Sequence, residues 1–308
     1  MTSLGAAVGE YLAMRRSLGF KLDRTEKLLA QFIRHLEAVA VNHITTDVAV
    51  AWATSPVGTR RIWWARRLTV VRGFARYLQA FDPTTEVPPT GLFPGQRRLT
   101  VPYLYSDEDI EALVAAAGDL ARPLRVLTYR TLIRLLAVTG MRIGEAIRLD
   151  RKDLDFEEGV LTVWFGKFGK SRELPLHDST CDALRAYLQQ RDRLYPRPPS
   201  PSLLISTAGT RLRYPDVQST FARLVRQAGL EPRSAHCRPR LHDLRHTFAV
   251  RTLIDAYRAD VNVGAHLPLL STYLGHIDPR NTYWYLSAAP ELLGLASQRL
   301  ERHLEGVS

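Results

Sequence analysis

Along the first eighty residues, apolar positions recur every three or four, the period of helices that bury one face. Leu28, Leu29, Phe32, Ile33 and Leu36 form one such stripe, and Thr25 is read as the cap of its helix. From about Thr59 to Ala80, a second stripe of Ile62, Trp63, Leu68, Val71, Phe74 and Leu78 is expected to face a core. The pattern breaks at 83–102, where Pro83, Pro88, Pro89 and Pro94, with Gly91 and Gly95, read as a linker. Helical periodicity resumes at Ser106, which pairs with Asp109 as a capping box ahead of Ile110, Leu113 and Val114, and again from Leu124 to Val138. From Leu154 to Leu176 the period drops to two. Val160, Thr162 and Trp164 lead into a Gly-Lys-Phe-Gly turn and then Glu173-Leu174-Pro175-Leu176, a hairpin or small three-stranded sheet. Helices are predicted at about 178–193, 214–228, 242–256 and 266–275, with a short strand at Leu203–Ile205. The predicted fold class is mainly α with a small antiparallel β-sheet. It divides into a helical domain (1–82), the linker (83–102) and a second domain (103–308) that ends in a tail helix, 291–308.

The chain has 308 residues, enough for two cores without covalent staples. It contains no apolar run long enough for a membrane helix, and its first ten residues do not resemble a secretion signal. Cys181 and Cys237 are too few for a disulfide framework and suit a reducing, cytoplasmic setting. Charge changes the picture more. Forty-two Lys+Arg against thirty-one Asp+Glu give +11, and residues 1–100 alone hold fourteen basic and seven acidic residues. A polyanionic partner is expected. Arg60, Arg61, Arg66, Arg67, Arg72 and Arg76 share one helical segment with no acid among them. That favours a DNA-binding, phosphate-tracking surface over a merely solvated helix face.

Four short stretches of the second domain carry candidate chemistry. In Thr139-Gly140-Met141-Arg142-Ile143-Gly144-Glu145, a glycine ends one helix and an arginine begins the next, so a guanidinium can reach an anionic oxygen near a helix start. Gly166-Lys167-Phe168-Gly169-Lys170 puts two of the chain's five lysines on a hairpin tip. His242-Asp243-Leu244-Arg245-His246 places residues 242, 245 and 246 on one helical face. Leu274-Gly275-His276 is followed by Tyr283, Trp284 and Tyr285. Each stretch alone reads more simply as structure than as chemistry. Histidines at i and i+4 also suggest a zinc helix, but the intervening acid is the short aspartate and Arg245 would set a cation against the metal. Together the four stretches supply phosphate-binding arginines, proton-transferring side chains and a tyrosine able to hold a DNA strand covalently. No carboxylate cluster for magnesium and no phosphate-binding P-loop is found.

The order Arg, Lys, His-x-x-Arg, His, Tyr resembles the tyrosine recombinase family, lambda-integrase-like or Xer-like, over nearly the whole chain. The resemblance implies a core-binding domain and a catalytic domain that close on duplex DNA as a C-shaped clamp. Arg142 and Arg245 correspond to the phosphate-binding arginines, Lys167 to the acid that protonates the leaving 5′-oxygen, and His242 to an aid in tyrosine deprotonation. His276 corresponds to a phosphate hydrogen-bonder and Tyr285 to the nucleophile, with Glu145 and His246 in support and Lys170 as a DNA contact. The implied reaction is site-specific cutting and rejoining through a 3′-phosphotyrosyl bond, without metal, ATP or other cofactor. The implied assembly is a tetramer on double-stranded DNA, with the possibility of partner recombinases. The Thr282–Leu286 wording is similar to recombinases of mobile elements. A type IB-like topoisomerase and a non-catalytic DNA-binding regulator are the alternatives; the complete catalytic set argues against the second.

Overall fold

The computed structural model describes residues 3–93, 101–164, 171–259, 261–276, 278, 280–287 and 290–305. The chain forms two compact units, Met1–Arg98 and Leu99–Ser308.

The first unit packs helices α1 (Leu4–Ser17), α2 (Asp23–Ala38), α3 (Thr46–Thr54) and α4 (Arg61–Leu78) around Leu29, Phe32, Trp52, Val71 and Phe74. Two readings of this region change. Thr25 is not a cap: α2 begins at Asp23, where Asp23 and Glu26 place negative charge against the positive end of the helix, so Thr25 lies inside the first turn. Ile62 is 40% exposed, whereas Trp63 beside it is half-buried against the core and full burial of α4 begins at Arg67 and Leu68. The first part of the expected linker is not a free connector. Glu86 accepts from the Thr46 N–H at 2.7 Å, and its own N–H donates to the Ile44 carbonyl at 2.8 Å. Phe93 packs on Trp64 with ring centroids 5.7 Å apart. The stretch up to Phe93 therefore belongs to the bundle, and the boundary between units falls later, after Arg98.

The second unit opens with α5 (Asp107–Ala116), whose Ser106–Asp109 capping box forms as the sequence predicts. Next come α6 (Pro123–Thr139) and α7 (Ile143–Arg148), then β1 (Leu154–Asp155), β2 (Val160–Val163) and β3 (Arg172–Pro175). The strands pair antiparallel in the order β1-β2-β3, with Leu161 opposite Leu174 and Val163 opposite Arg172. Helices α8 (Asp178–Leu194), α9 (Tyr214–Gln227), α10 (Asp243–Arg258), α11 (Val263–Leu274), α12 (Arg280–Tyr283) and α13 (Pro290–Glu305) complete the unit. Leu203–Ile205 is not a strand. All three residues are fully buried, and the segment is held by isolated bridges, Asp150 with Ser202 and Ile205 with Arg211.

The tail reading also shifts. The periodicity of the tail predicts an apolar stripe of Leu293, Ala296, Leu300 and Leu304. In the structure Leu292 is 1% exposed and Leu295 half-buried, whereas Leu293 is 56% exposed. The first turns of α13 thus close a cluster with Ala249, Val250 and Leu253 of the same chain, and Arg258 pairs with Glu291 at 2.8 Å. Leu300 and Leu304 have side chains outside the described residues. Leu292→Ala should cost about 2–5 kcal/mol of stability, the range for a truncated buried leucine, and Leu293→Ala less than about 0.5 kcal/mol. Denaturant unfolding of the two variants checks this.

Candidate active site

The last turn of α11 is where the chemistry-bearing residues converge. A helix ends with four carbonyls that lack intrahelical partners, and here every one is accounted for. Gly275 adopts φ 67°, which folds the chain back so that the Gly275 and His276 N–H groups donate to the Thr272 and Ser271 carbonyls, both at 2.9 Å. Arg172 Nε donates to the Tyr273 carbonyl at 2.6 Å, and Arg245 Nη2 to that of Leu274 at 2.6 Å. Arg142 Nη2 continues the series onto the Gly275 carbonyl at 3.1 Å. Three arginines from α10, β3 and the start of α7 thus cap one helix end, where the macrodipole favours cations.

Each arginine is also fixed elsewhere. Arg245, 2% exposed, donates through Nη1 to the Gly140 carbonyl at 2.9 Å. Gly140 ends α6 at φ 57°, and any Cβ there would overlap the Phe248 ring, so only glycine brings that carbonyl to the guanidinium. Arg142 and Arg172 share the buried Glu145 carboxylate, paired at 2.8 Å in each case. Burial alone would raise the Glu145 carboxyl, but the two arginines overcome this and hold it at about 2. Burial likewise lowers the Arg245 guanidinium to about 10, helped by the neighbouring Arg142.

Tyr285 lies in a short 3₁₀ turn after α12 and is 2% exposed; Tyr283 is 52% exposed. The two tyrosines therefore face apart, and Tyr285 is the one in the pocket. Its hydroxyl lies 3.2 Å from His246 Nδ1. Here the structure departs from the expectation that His242 serves the tyrosine. His242 immediately precedes α10, with no capping bond from its side chain, and stands edge-on to His246, ring centroids 4.8 Å apart, one step behind the contact. On α10, residue 246 lies a full turn further toward Tyr285. The His276 ring stacks toward Tyr285 at 6.2 Å, and its Nδ1 is 2.8 Å from Thr282 Oγ1. Burial holds the Tyr285 phenol above the ordinary range, against the Arg245 and Arg142 charges that favour the phenolate. Among the described residues no group of three or more His, Cys, Asp or Glu side chains is placed to hold a metal, so His242 and His246 have no third ligand beside them.

Arg142, Glu145, His242, Arg245, His246, His276 and Tyr285 thus gather in one pocket, while Lys167 and Lys170 lie outside the described residues. Two of the six arginines on α4 and its cap are removed from the proposed DNA surface. Arg67 is 6% exposed, donates to the Trp52 carbonyl at 2.8 Å and lies 3.8 Å over the Trp52 ring. Arg72 clamps the Pro88 and Pro89 carbonyls, both at 2.7 Å. Arg60, Arg61, Arg66 and Arg76 are exposed. Sequence reasoning missed Arg172 and Thr282. Arg172 had a usable signal: it shares the inward side of β3 with buried Leu174, an unusual place for a charge. Thr282 had none.

All three pocket histidines are held neutral. Burial, reinforced by Arg245 and Arg142, lowers His242 and His276 to about 4; burial and the adjacent His242 lower His246 to about 3. A folded-state pKa below the unfolded 6.5 means that the unfolded chain binds protons first on acidification. The stabilisation is complete above about pH 6.5 and is lost as pH falls toward 4 and 3, by up to about 1.4 kcal/mol per histidine per pH unit. The melting temperature of the second unit should therefore fall between pH 7 and pH 4.5, and less steeply in His246→Asn. Calorimetry across that range checks the slope; a flat profile contradicts it.

Comparison with known proteins bears on the family and the fold. Residues 104–291 match the model of the phage integrase family. The protein y4rB of Sinorhizobium fredii, an integrase/recombinase by name, is 47% identical over 99% of both chains. The tyrosine recombinase XerC of Azotobacter vinelandii is 33% identical over 72% of this chain and 68% of its own. Among solved structures, the Tn1549 transposon integrase in complex with transposon right-end DNA superposes with a TM-score of 0.67, at 18% identity and over 96% and 98% of the two chains. A lambda integrase tetramer bound to a Holliday junction gives 0.61, at 18% identity and over 92% and 77%. At these identities the structures establish the fold, and the sequence relatives establish the family. The chain belongs to the phage integrase family of tyrosine recombinases, the enzymes of site-specific DNA recombination.

Proposed function

We propose that the chain cuts and rejoins double-stranded DNA by transferring one strand to Tyr285. The observation that carries this is the shared pocket: the Tyr285 hydroxyl lies on His246 while Arg142 and Arg245 are fixed around it by main-chain carbonyls. Such prepositioned guanidiniums stabilise charge developing on the non-bridging oxygens of a phosphate. Tyr285 Oη attacks phosphorus, the bond to the 5′-oxygen breaks, and a 3′-phosphotyrosyl ester forms. The phenolic proton leaves toward His246, with His242 behind it. Lys167 protonates the 5′-oxygen, a role that rests on the family resemblance alone. His276 donates to the phosphate while Thr282 orients its ring. Reversal of the step on a new 5′-hydroxyl rejoins the strand and conserves the bond energy.

Duplex DNA is the partner, held in part by Arg60, Arg61, Arg66 and Arg76 and by Lys170, and the working assembly is a tetramer of this chain at work in the cytoplasm. The lambda integrase tetramer on a Holliday junction supports that assembly by likeness of fold. No helix among the described residues is long and apolar enough to cross a membrane.

Tyr285→Phe removes one hydroxyl and should abolish the covalent adduct, a loss of at least about a thousandfold, while DNA binding survives. Tyr283→Phe should retain the adduct. A denaturing gel of protein with a nicked suicide duplex reads both, and an adduct in Tyr285→Phe but not in Tyr283→Phe reverses the assignment. Because arginines and Lys167 carry the charge, the wild-type adduct should also form in excess EDTA; loss that zinc or magnesium restores contradicts the scheme.

A further inference from the structure

Arg172 is a third arginine in the pocket, and its hydrogen bonds run to groups of the protein itself. Its side chain is 11% exposed, and all three of its nitrogens are engaged within the protein. Nε holds the Tyr273 carbonyl at 2.6 Å, while Nη1 and Nη2 grip the two Glu145 oxygens at 3.2 and 2.8 Å. We infer that Arg172 is a positioning residue of the reaction: it takes up the charge of Glu145, so that Arg142 meets the scissile phosphate as an uncompensated cation. This rests on the proposed function, in which Arg142 binds that phosphate.

Charge and geometry act together around Glu145. Glu145 is needed to aim Arg142. Its Oε1 accepts from Arg142 Nη1 at 2.8 Å and its Oε2 from the Arg142 backbone N–H at 2.9 Å, which fixes both ends of the residue. A carboxylate bonded to a guanidinium makes a neutral pair, however, and a neutral pair attracts a phosphate only as a dipole. Arg172 resolves the conflict. Two guanidiniums around one carboxylate leave one net positive charge, and of the two it is Arg142 that is the more exposed, at 22% of its side chain. Each Glu145 oxygen accepts two hydrogen bonds, so its capacity is filled. The bidentate fork on the carboxylate and the third bond on Tyr273 are a geometry that lysine cannot reproduce. The fit around Arg172 is close: a Cβ on Gly275 would stand 3.1 Å from its Nη1. Arg172 thereby ties β3 to α7 and to the α11 turn ahead of His276.

A purely structural staple and a charge-balancing residue differ in how they depend on substrate charge. Adduct formation is compared on two suicide duplexes, one with an ordinary scissile phosphodiester and one with a methylphosphonate there, in which a methyl group replaces the charged non-bridging oxygen. Arg172→Met should lower the adduct rate about a hundredfold on the phosphodiester but less than about tenfold on the methylphosphonate, which needs less positive charge. Arg172→Lys, which keeps the charge but loses the fork, should fall between wild type and Arg172→Met. The double variant Arg172→Met/Glu145→Gln removes the charge together with its counter-charge and should be faster than Arg172→Met on the phosphodiester. If Arg172→Met does not fold, the lysine and double variants carry the same comparison. Equal losses on both substrates, with no gain in the double variant, overturn this inference alone. A wild-type protein that forms no adduct on either duplex overturns the proposed function and this inference with it.

Discussion

The carbonyls at the end of α11 are the constraint on which the active site depends. A helix end buried in protein must find donors for its last carbonyls or lose the cost of their desolvation. Here two donors come from the chain reversal at Gly275 and the others from arginine side chains. Those two side chains arrive from β3 and α10, and Arg142, at the start of α7, adds a bond to the Gly275 carbonyl that follows. Satisfying one backbone requirement therefore also draws together the groups that bind phosphate. His276 follows the same turn directly, and Tyr285 reaches the pocket nine residues later, after the short α12.

The electrostatics of the pocket follow from that assembly. Burial, reinforced by the positive charge around them, disfavours the protonated imidazoles, so His242, His246 and His276 stand neutral in the pocket. Neutral imidazoles can accept a proton from a phenol or share one with a phosphate, and a phosphate entering the pocket would add the negative charge it lacks. The buried acid Glu145 stays ionised because two arginines flank it, not because water reaches it. Asp243, buried in the first turn of α10, is met by the Arg240 fork at 2.7 and 2.9 Å, which secures the helix that carries Arg245 and His246.

Much of this was legible in the residues. Period-three and period-two stretches located most of the helices and the three strands, and the Ser106 capping box formed as expected. The motif residues were legible because short boxes such as Thr-Gly-x-Arg-x-x-Glu concentrate unusual side chains at fixed spacing. What failed had a common physical cause: a side chain's partner lies far away in sequence. Arg67 and Arg72 read as surface charge, yet a tryptophan ring and two proline carbonyls claim them. Arg172 stands just ahead of the predicted Glu173–Leu176 segment, and its role depends on partners 27 and 101 residues away. His242 and His246 occupy one helix face, and only the path of the chain through α12 decides which of them Tyr285 reaches. In the tail, the pattern points to Leu293 where packing buries Leu292, since either can begin an apolar face until the packing partner is known.

The central claim is that the arginines are held in place before DNA arrives, by main-chain carbonyls they do not release. A structure of the Tyr285→Phe protein bound to its cognate duplex tests this most directly. The account predicts that Arg245 still holds the Gly140 and Leu274 carbonyls and Arg142 the Gly275 carbonyl, while their remaining N–H groups meet the non-bridging oxygens of the scissile phosphate. A complex in which either guanidinium has left its carbonyl to reach the phosphate, or in which the phosphate sits outside this pocket, would contradict it.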